Sequence, residues 1–144
     1  MSEQSRKTNM ASEFLALAQL YRMGLEPLLT LGNKKGVDIY IPQDGREMIA
    51  VEVKAVAKKM DWMFGDREFV HAPSKWVVLL CYNGAFESTE STPDAWIEPS
   101  AEVAARLKVA SNGATRYLPR TVVRDSLGDF KDGAGWAKLR AASG

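Results

Sequence analysis

One cysteine and one histidine are present in 144 residues. A single thiol excludes an intramolecular disulfide framework, and Cys81 with His71 are too few soft ligands for a structural zinc site. A Cys-His nucleophile pair is the other use of these two residues. Cys81, however, lies in the run Trp-Val-Val-Leu-Leu-Cys-Tyr at residues 76–82, a continuous apolar stretch suited to a central strand covered on both faces, so its expected role is packing. There is no run of 18 or more apolar residues to span a bilayer, and the first ten residues are too polar for a secretory signal. The expectation is a soluble, cytoplasmic protein with no membrane partner. Internal repeats and coiled-coil heptads are also lacking.

Net charge is low as well, at +1, which is not the balance of a nonspecific nucleic-acid binder. The distribution is more informative than the sum. Residues 87–105 hold Glu87, Glu90, Asp94, Glu98 and Glu102 with no lysine or arginine, whereas residues 106–144 hold eight basic side chains against three acidic ones. Together with Lys34, Lys35, Lys54, Lys58 and Lys59, the basic C-terminal third offers a phosphate-binding surface; a solvated basic face is the alternative. The acidic stretch is expected to point away from nucleic acid or to cover a neighbouring protein. A hydrophobic content of 46% in a chain of this length is enough for one substantial core. One domain over residues 11–144 is expected, preceded by a flexible segment at residues 1–10.

What the chain does contain is Gly36-Val37-Asp38-Ile39-Tyr40-Ile41, a short polar turn, and then Val51-Glu52-Val53-Lys54. Side chains alternate across a strand, so Glu52 and Lys54 share one face while Val51 and Val53 point to the other, where a core can receive them. A hard divalent cation such as magnesium takes one or two carboxylates and keeps several waters, so Asp38 and Glu52 suit it and leave room for a substrate phosphate. Lys54 would add positive charge beside the reacting phosphate. The alternative is that Glu52 and Lys54 simply line the wet face of an antiparallel strand.

Register separates these readings. A two-residue Asp44-Gly45 turn pairs Gln43 with Arg46 and sets Asp38 opposite Val51, on the wrong face. A three-residue loop with Gly45 in the left-handed region sets Asp38 opposite Ala50 and diagonal to Glu52, about 7 to 8 Å away on one face. A metal site therefore predicts the longer loop or a compensating bulge.

A helix, a strand, G-V-D-I, a turn and V-E-V-K in that order resemble the PD-(D/E)xK nuclease superfamily, in particular its small restriction-endonuclease-like and Holliday-junction-resolvase-like members. The resemblance covers residues 11–56 and departs from the motif at Val37, where the superfamily name has proline. It implies an α/β fold with a restriction-endonuclease-like mixed central sheet flanked by helices. It also implies that Asp38 and Glu52 bind Mg2+, with Mn2+ as a substitute, and that Lys54 assists the nucleophile. Resolvase-like members add a glutamate on the first helix, and Glu13 occupies that place as a catalytic and metal-binding candidate. Left to itself, Glu13 reads as a first-turn glutamate favoured by the helix dipole. The implied function is a Mg-dependent endonuclease acting on DNA, with RNA the second choice and selectivity for DNA structure as one option. Lys34, Lys35, Lys58 and Lys59 are the candidate nucleic-acid contacts. So small a domain has no separate target-reading module, so a homodimer or a partner subunit is the expected source of selectivity. The alternative function is a non-catalytic nuclease-fold module that binds nucleic acid or assembles with a partner.

The remaining elements follow from periodicity. Phe14, Leu17, Ala18 and Tyr21 have the spacing of one buried helical stripe, with Gly24 ending the helix. Residues 25–31 read as a strand that Pro27 places at an edge. Residues 61–71 read as a strand plus a loop bordering the site, with Trp62, Phe64 and Phe69 in packing roles. Strands are expected at 76–82 and 95–98, then a helix from Ser100 to about residue 110. Residues 116–123 read as extended, and 135–142 as a last helix packing Trp136 and Leu139.

Overall fold

A computed structural model of the protein describes residues 2–32 and 35–144. In chain order the elements are α1 (Glu3–Arg22), β1 (Leu28–Leu29), β2 (Ile39–Gln43), β3 (Arg46–Val56), β4 (Trp62–Gly65), β5 (Lys75–Cys81) and β6 (Asp94–Pro99). They continue with α2 (Ser100–Ala104), β7 (Lys108–Val109), β8 (Arg116–Leu118), α3 (Arg120–Ser126), a 3-10 turn (Gly128–Phe130) and α4 (Gly133–Ser143). Five strands form a mixed sheet in the order β1-β2-β3-β5-β6, and β4-β8-β7 form a second, smaller sheet. The β3–β5 pair is parallel and its neighbours are antiparallel. The expected α/β class with a mixed central sheet is therefore present.

Alternation along β3 and β5 divides the core between the two faces of the large sheet. Val51 of β3 with Trp76, Val78 and Leu80 of β5 packs against Ala16 and Leu20 of α1 and Trp136 and Leu139 of α4. On the opposite face Val77, Leu79 and Cys81 pack against Trp62 of β4, Leu118 of β8, Val103 of α2 and Val123 of α3. Cys81 is fully buried, in accord with a packing role. No helix among the described residues is long and apolar enough to cross a membrane.

Several expected boundaries move. The first helix begins at Glu3, not near residue 11, so residues 3–10, expected as a flexible lead-in, form its first two turns. Ser2 caps it, its hydroxyl accepting the Ser5 N–H at 3.0 Å. The buried stripe of α1 is Thr8, Ser12, Ala16 and Leu20, whereas Phe14 and Tyr21 are 50% and 55% exposed. Size misled the reading here: apart from Leu20 the fully buried positions are small or hydroxylated, which lets the helix lie close to the sheet. Ser12 meets its polar requirement internally, bonding the Thr8 carbonyl at 2.6 Å and the Tyr82 hydroxyl at 2.9 Å.

The helix after Pro99 ends at Ala104 rather than near residue 110, and residues 108–109 pair with β8. Ser100, expected as its cap, instead bonds both the N–H and the carbonyl of Ala72 at 3.0 Å. Pro119 ends the extended segment at Leu118 and starts α3, consistent with the pre-set φ and missing donor that suit proline to a helix start. The strand at 25–31 shrinks to two residues, at the sheet edge as Pro27 implied.

Candidate active site

The β2–β3 hairpin sets the positions of the carboxylates. Asp44-Gly45 makes a two-residue turn with Gln43 paired to Arg46, and Gly45 takes a left-handed φ of 65°. Above the turn the ladder shifts: Pro42 on β2 faces Glu47 and Met48 on β3, and the pairs continue as Ile41↔Ile49, Tyr40↔Ala50 and Ile39↔Val51. The Gln43 side chain donates to the Glu47 carbonyl at 2.9 Å and so satisfies an acceptor within the bulge. Of the two routes the register argument allowed, the chain takes the compensating bulge. The ladder ends at Ile39↔Val51, and the Asp38 N–H donates to the Val51 carbonyl at 2.8 Å, which leaves Asp38 at the end of the ladder, near enough to Glu52 to feel its charge.

Asp38 immediately precedes β2, where β3 runs on past the last pair of the ladder. Its carboxylate Oδ2 accepts the Val53 N–H at 2.6 Å, replacing the next main-chain acceptor of the ladder. Burial lifts its pKa above the ordinary aspartate value. The Val53 N–H opposes that shift, Glu52 adds to it, and Lys54 and Lys75 oppose it. Glu13, half-buried on α1, is pushed up to about 7, first by burial and then by the charge of Asp38. The fold thus brings Glu13, Asp38, Glu52 and Lys54 into one electrostatic neighbourhood.

Glu52 is held from two directions. Lys54 Nζ lies 3.3 Å from Oε2, and Lys75 Nζ lies 2.9 Å from Oε1. The parallel register explains the second contact: Ala50 pairs with Lys75 and Glu52 with Val77, so Lys75 rises from the same sheet face one rung away. Both ammoniums rest on aromatic rings, Lys54 at 5.2 Å from the Phe64 centroid and Lys75 at 4.6 Å from that of Phe69. The two rings meet edge to face at 5.4 Å. These groups, with Lys35, Gly36 and Arg67, line a cleft of about 260 Å3.

The basic candidates separate. Lys35 lines this cleft. Lys58 borders a neighbouring cleft of about 580 Å3 that also includes Lys54, and Lys59 is exposed in the bend after β3. Lys34 lies outside the described residues. Lys75 was missed by sequence reasoning, although a lysine opening an otherwise apolar strand is a visible signal; its parallel register with β3 is not. Glu98 also departs from expectation. Rather than facing outward with the acidic stretch, it is fully buried on β6, across Val77 from Glu52, with no hydrogen-bond partner for either oxygen.

Asp38 and Glu52 lie near enough for their charges to couple and offer hard oxygen donors, a set that fits magnesium held by one or two carboxylates together with substrate phosphate. Among the described residues, no three Asp, Glu, His or Cys side chains converge as a metal-binding group. Glu13 is near enough to Asp38 to feel its charge but does not complete such a group. No protein-family model, curated protein or solved structure matches the chain.

Proposed function

We propose that the protein is a magnesium-dependent phosphodiesterase that cuts DNA, with a restriction-endonuclease-like sheet and the PD-(D/E)xK arrangement of side chains. The observation that carries this reading is the bulged hairpin, which ends with Asp38 beside Glu52, within reach of its charge, and Lys54 held on Glu52. A solvated strand face requires no such alignment, and Glu52 is 6% exposed. Asp38 and Glu52 would hold Mg2+ or Mn2+, and Glu13 would act through water. Such an ion supplies Lewis-acid polarisation of a phosphoryl oxygen and a more acidic water. Lys54 stabilises negative charge developing on the phosphate, preorganised by Glu52 and the Phe64 ring. Lys35 and Lys58 extend the positive surface on either side. In this reading a homodimer or partner subunit supplies target selectivity.

The test is cleavage of supercoiled, single-stranded and branched DNA and of RNA with Mg2+ or Mn2+. Asp38→Ala and Lys54→Ala should each lower the rate by about 10²- to 10³-fold, the range typical of one preorganised electrostatic group. Equal rates in wild type and both variants would remove the catalytic assignment. One observation favours a second reading, a nucleic-acid-binding module without turnover: both oxygens of Glu52 are already engaged by ammoniums. That reading expects nucleic-acid binding indifferent to metal and to Asp38→Ala.

A further inference from the structure

Lys54 and Lys75 share one carboxylate, and that sharing leaves a surplus of charge. With one ammonium on each oxygen of Glu52, the trio carries one net positive charge in a cleft where the Lys75 side chain is only 12% exposed. The other ionisable side chains lining the cleft are Lys35, Arg67 and Glu68, which add a further positive charge. A partly buried cationic excess of this kind is stabilised by an anion. The geometry specifies its shape. Two ammoniums that bracket the two oxygens of a carboxylate are also placed to bracket two non-bridging oxygens of a phosphate, which have a similar spread. Lys75 cannot wander from this position, because its ammonium also donates to the Val70 carbonyl at 3.4 Å and lies over the Phe69 ring.

We infer that Lys75 is a second phosphate-contacting residue, which with Lys54 forms a two-ammonium clamp stored on Glu52 and handed to a substrate phosphate. This rests on the reading of the cleft as a nucleic-acid site and assigns it a residue outside the V-E-V-K segment. Phe69 is a positioning residue in the clamp, since its ring, seated at the margin of the second core, carries the ammonium and meets the edge of Phe64.

The clamp is tested without turnover, by fluorescence anisotropy of a labelled oligonucleotide in EDTA across a salt series, with and without a 5′-phosphate. Lys75→Met should weaken binding by about ten- to a hundredfold, the range for loss of one charge-assisted hydrogen bond. The slope of log affinity against log salt should shrink by about one. Lys75→Arg should retain the wild-type slope. Phe69→Leu should weaken binding while keeping the slope, because it misplaces the cation without removing it. A loss on both oligonucleotides assigns the clamp to backbone phosphates, and a loss confined to the 5′-phosphorylated one assigns it to a terminal phosphate. Wild-type affinity and slope in Lys75→Met would overturn the inference and leave Lys75 as a structural partner of Glu52. Should Lys75→Met not fold by circular dichroism, Lys75→Gln, which can still donate to Glu52, carries the same test. Failure of the clamp while Asp38→Ala still abolishes metal-dependent cleavage leaves the nuclease reading standing. Loss of phosphate binding with no cleavage by any variant retains the clamp and removes the nuclease.

Discussion

Glu13 and Glu98 are carboxyls whose environments disfavour ionisation, and their consequences differ with their neighbours. Glu13 is pushed to about 7 by burial and by Asp38. Below that pH it is mostly protonated and contributes no negative charge towards a cation at Asp38 and Glu52. Metal-dependent binding and cleavage should therefore rise as pH passes through about 7, and Glu13→Gln should flatten that limb; a pH–rate profile of both proteins checks it. Glu98 is raised well above the ordinary value by burial, with Arg106 opposing the shift and Glu102 adding to it. A carboxyl with a raised folded-state pKa binds its proton more tightly when folded, so its contribution to stability is lost as pH climbs from the unfolded value through the folded one. Glu98→Gln should accordingly raise the melting temperature at pH 8 more than at pH 5, as thermal melts at both values would report. The placing of Glu52 and Lys54 on one face was legible from period-two alternation alone. That of Lys75 was not, because it depends on which strand lies beside β3.

Among the elements, the hairpin was the most legible. The requirement that Asp38 share a face with Glu52 called for either a longer loop or a compensating bulge, and the chain has the bulge. Its location at Glu47 and Met48 was not readable, since neither residue is a glycine or otherwise marks a bulge. Helix α1 was legible as a helix but not in its rotation: a stripe with Phe14 and Tyr21 was available, and the fold buried Thr8, Ser12, Ala16 and Leu20 instead. Close approach recurs at the other end of the chain. The backbone carbonyl of Phe130 lies against Gly135 near the start of α4, where a Cβ would fall on the carbonyl oxygen, and the Ile97 carbonyl is 3.0 Å from the same position. These are backbone atoms and cannot rotate aside. Gly135→Ala should therefore lower stability by about 1 to 3 kcal/mol, the usual range for overpacking, seen as a lower urea midpoint with an unchanged slope.

At the scale of the whole molecule, one sheet serves two cores. β3, β5 and β6 send alternate side chains to opposite sides, so neither hydrophobic cluster can persist once the other has lost its strands. The tryptophans are divided evenly, Trp76 and Trp136 in one cluster and Trp62 and Trp96 in the other. Tryptophan fluorescence and far-ultraviolet circular dichroism should therefore trace a single coincident unfolding transition in urea; two separated transitions would mean that the faces melt independently. The alternation of helices and strands made the class legible, but the β4-β8-β7 sheet was not, since its strands are two to four residues long and take their pairing from distant chain segments.

The bulge also bears on how such a chain tolerates change in its gene. An in-frame loss of the Pro42 codon need not unfold the hairpin, because the turn and the bulge can close again around Ile41. Every β2 residue above the gap would then move one rung along β3, taking Asp38 away from Glu52 and uncoupling the two carboxylates while every codon for a catalytic candidate remained intact, whereas loss of Glu47 or Met48 would only regularise the ladder and keep Ile41 opposite Ile49. The count of residues on the β2 side of the turn is thus as much a part of the site as the identities of Asp38 and Glu52.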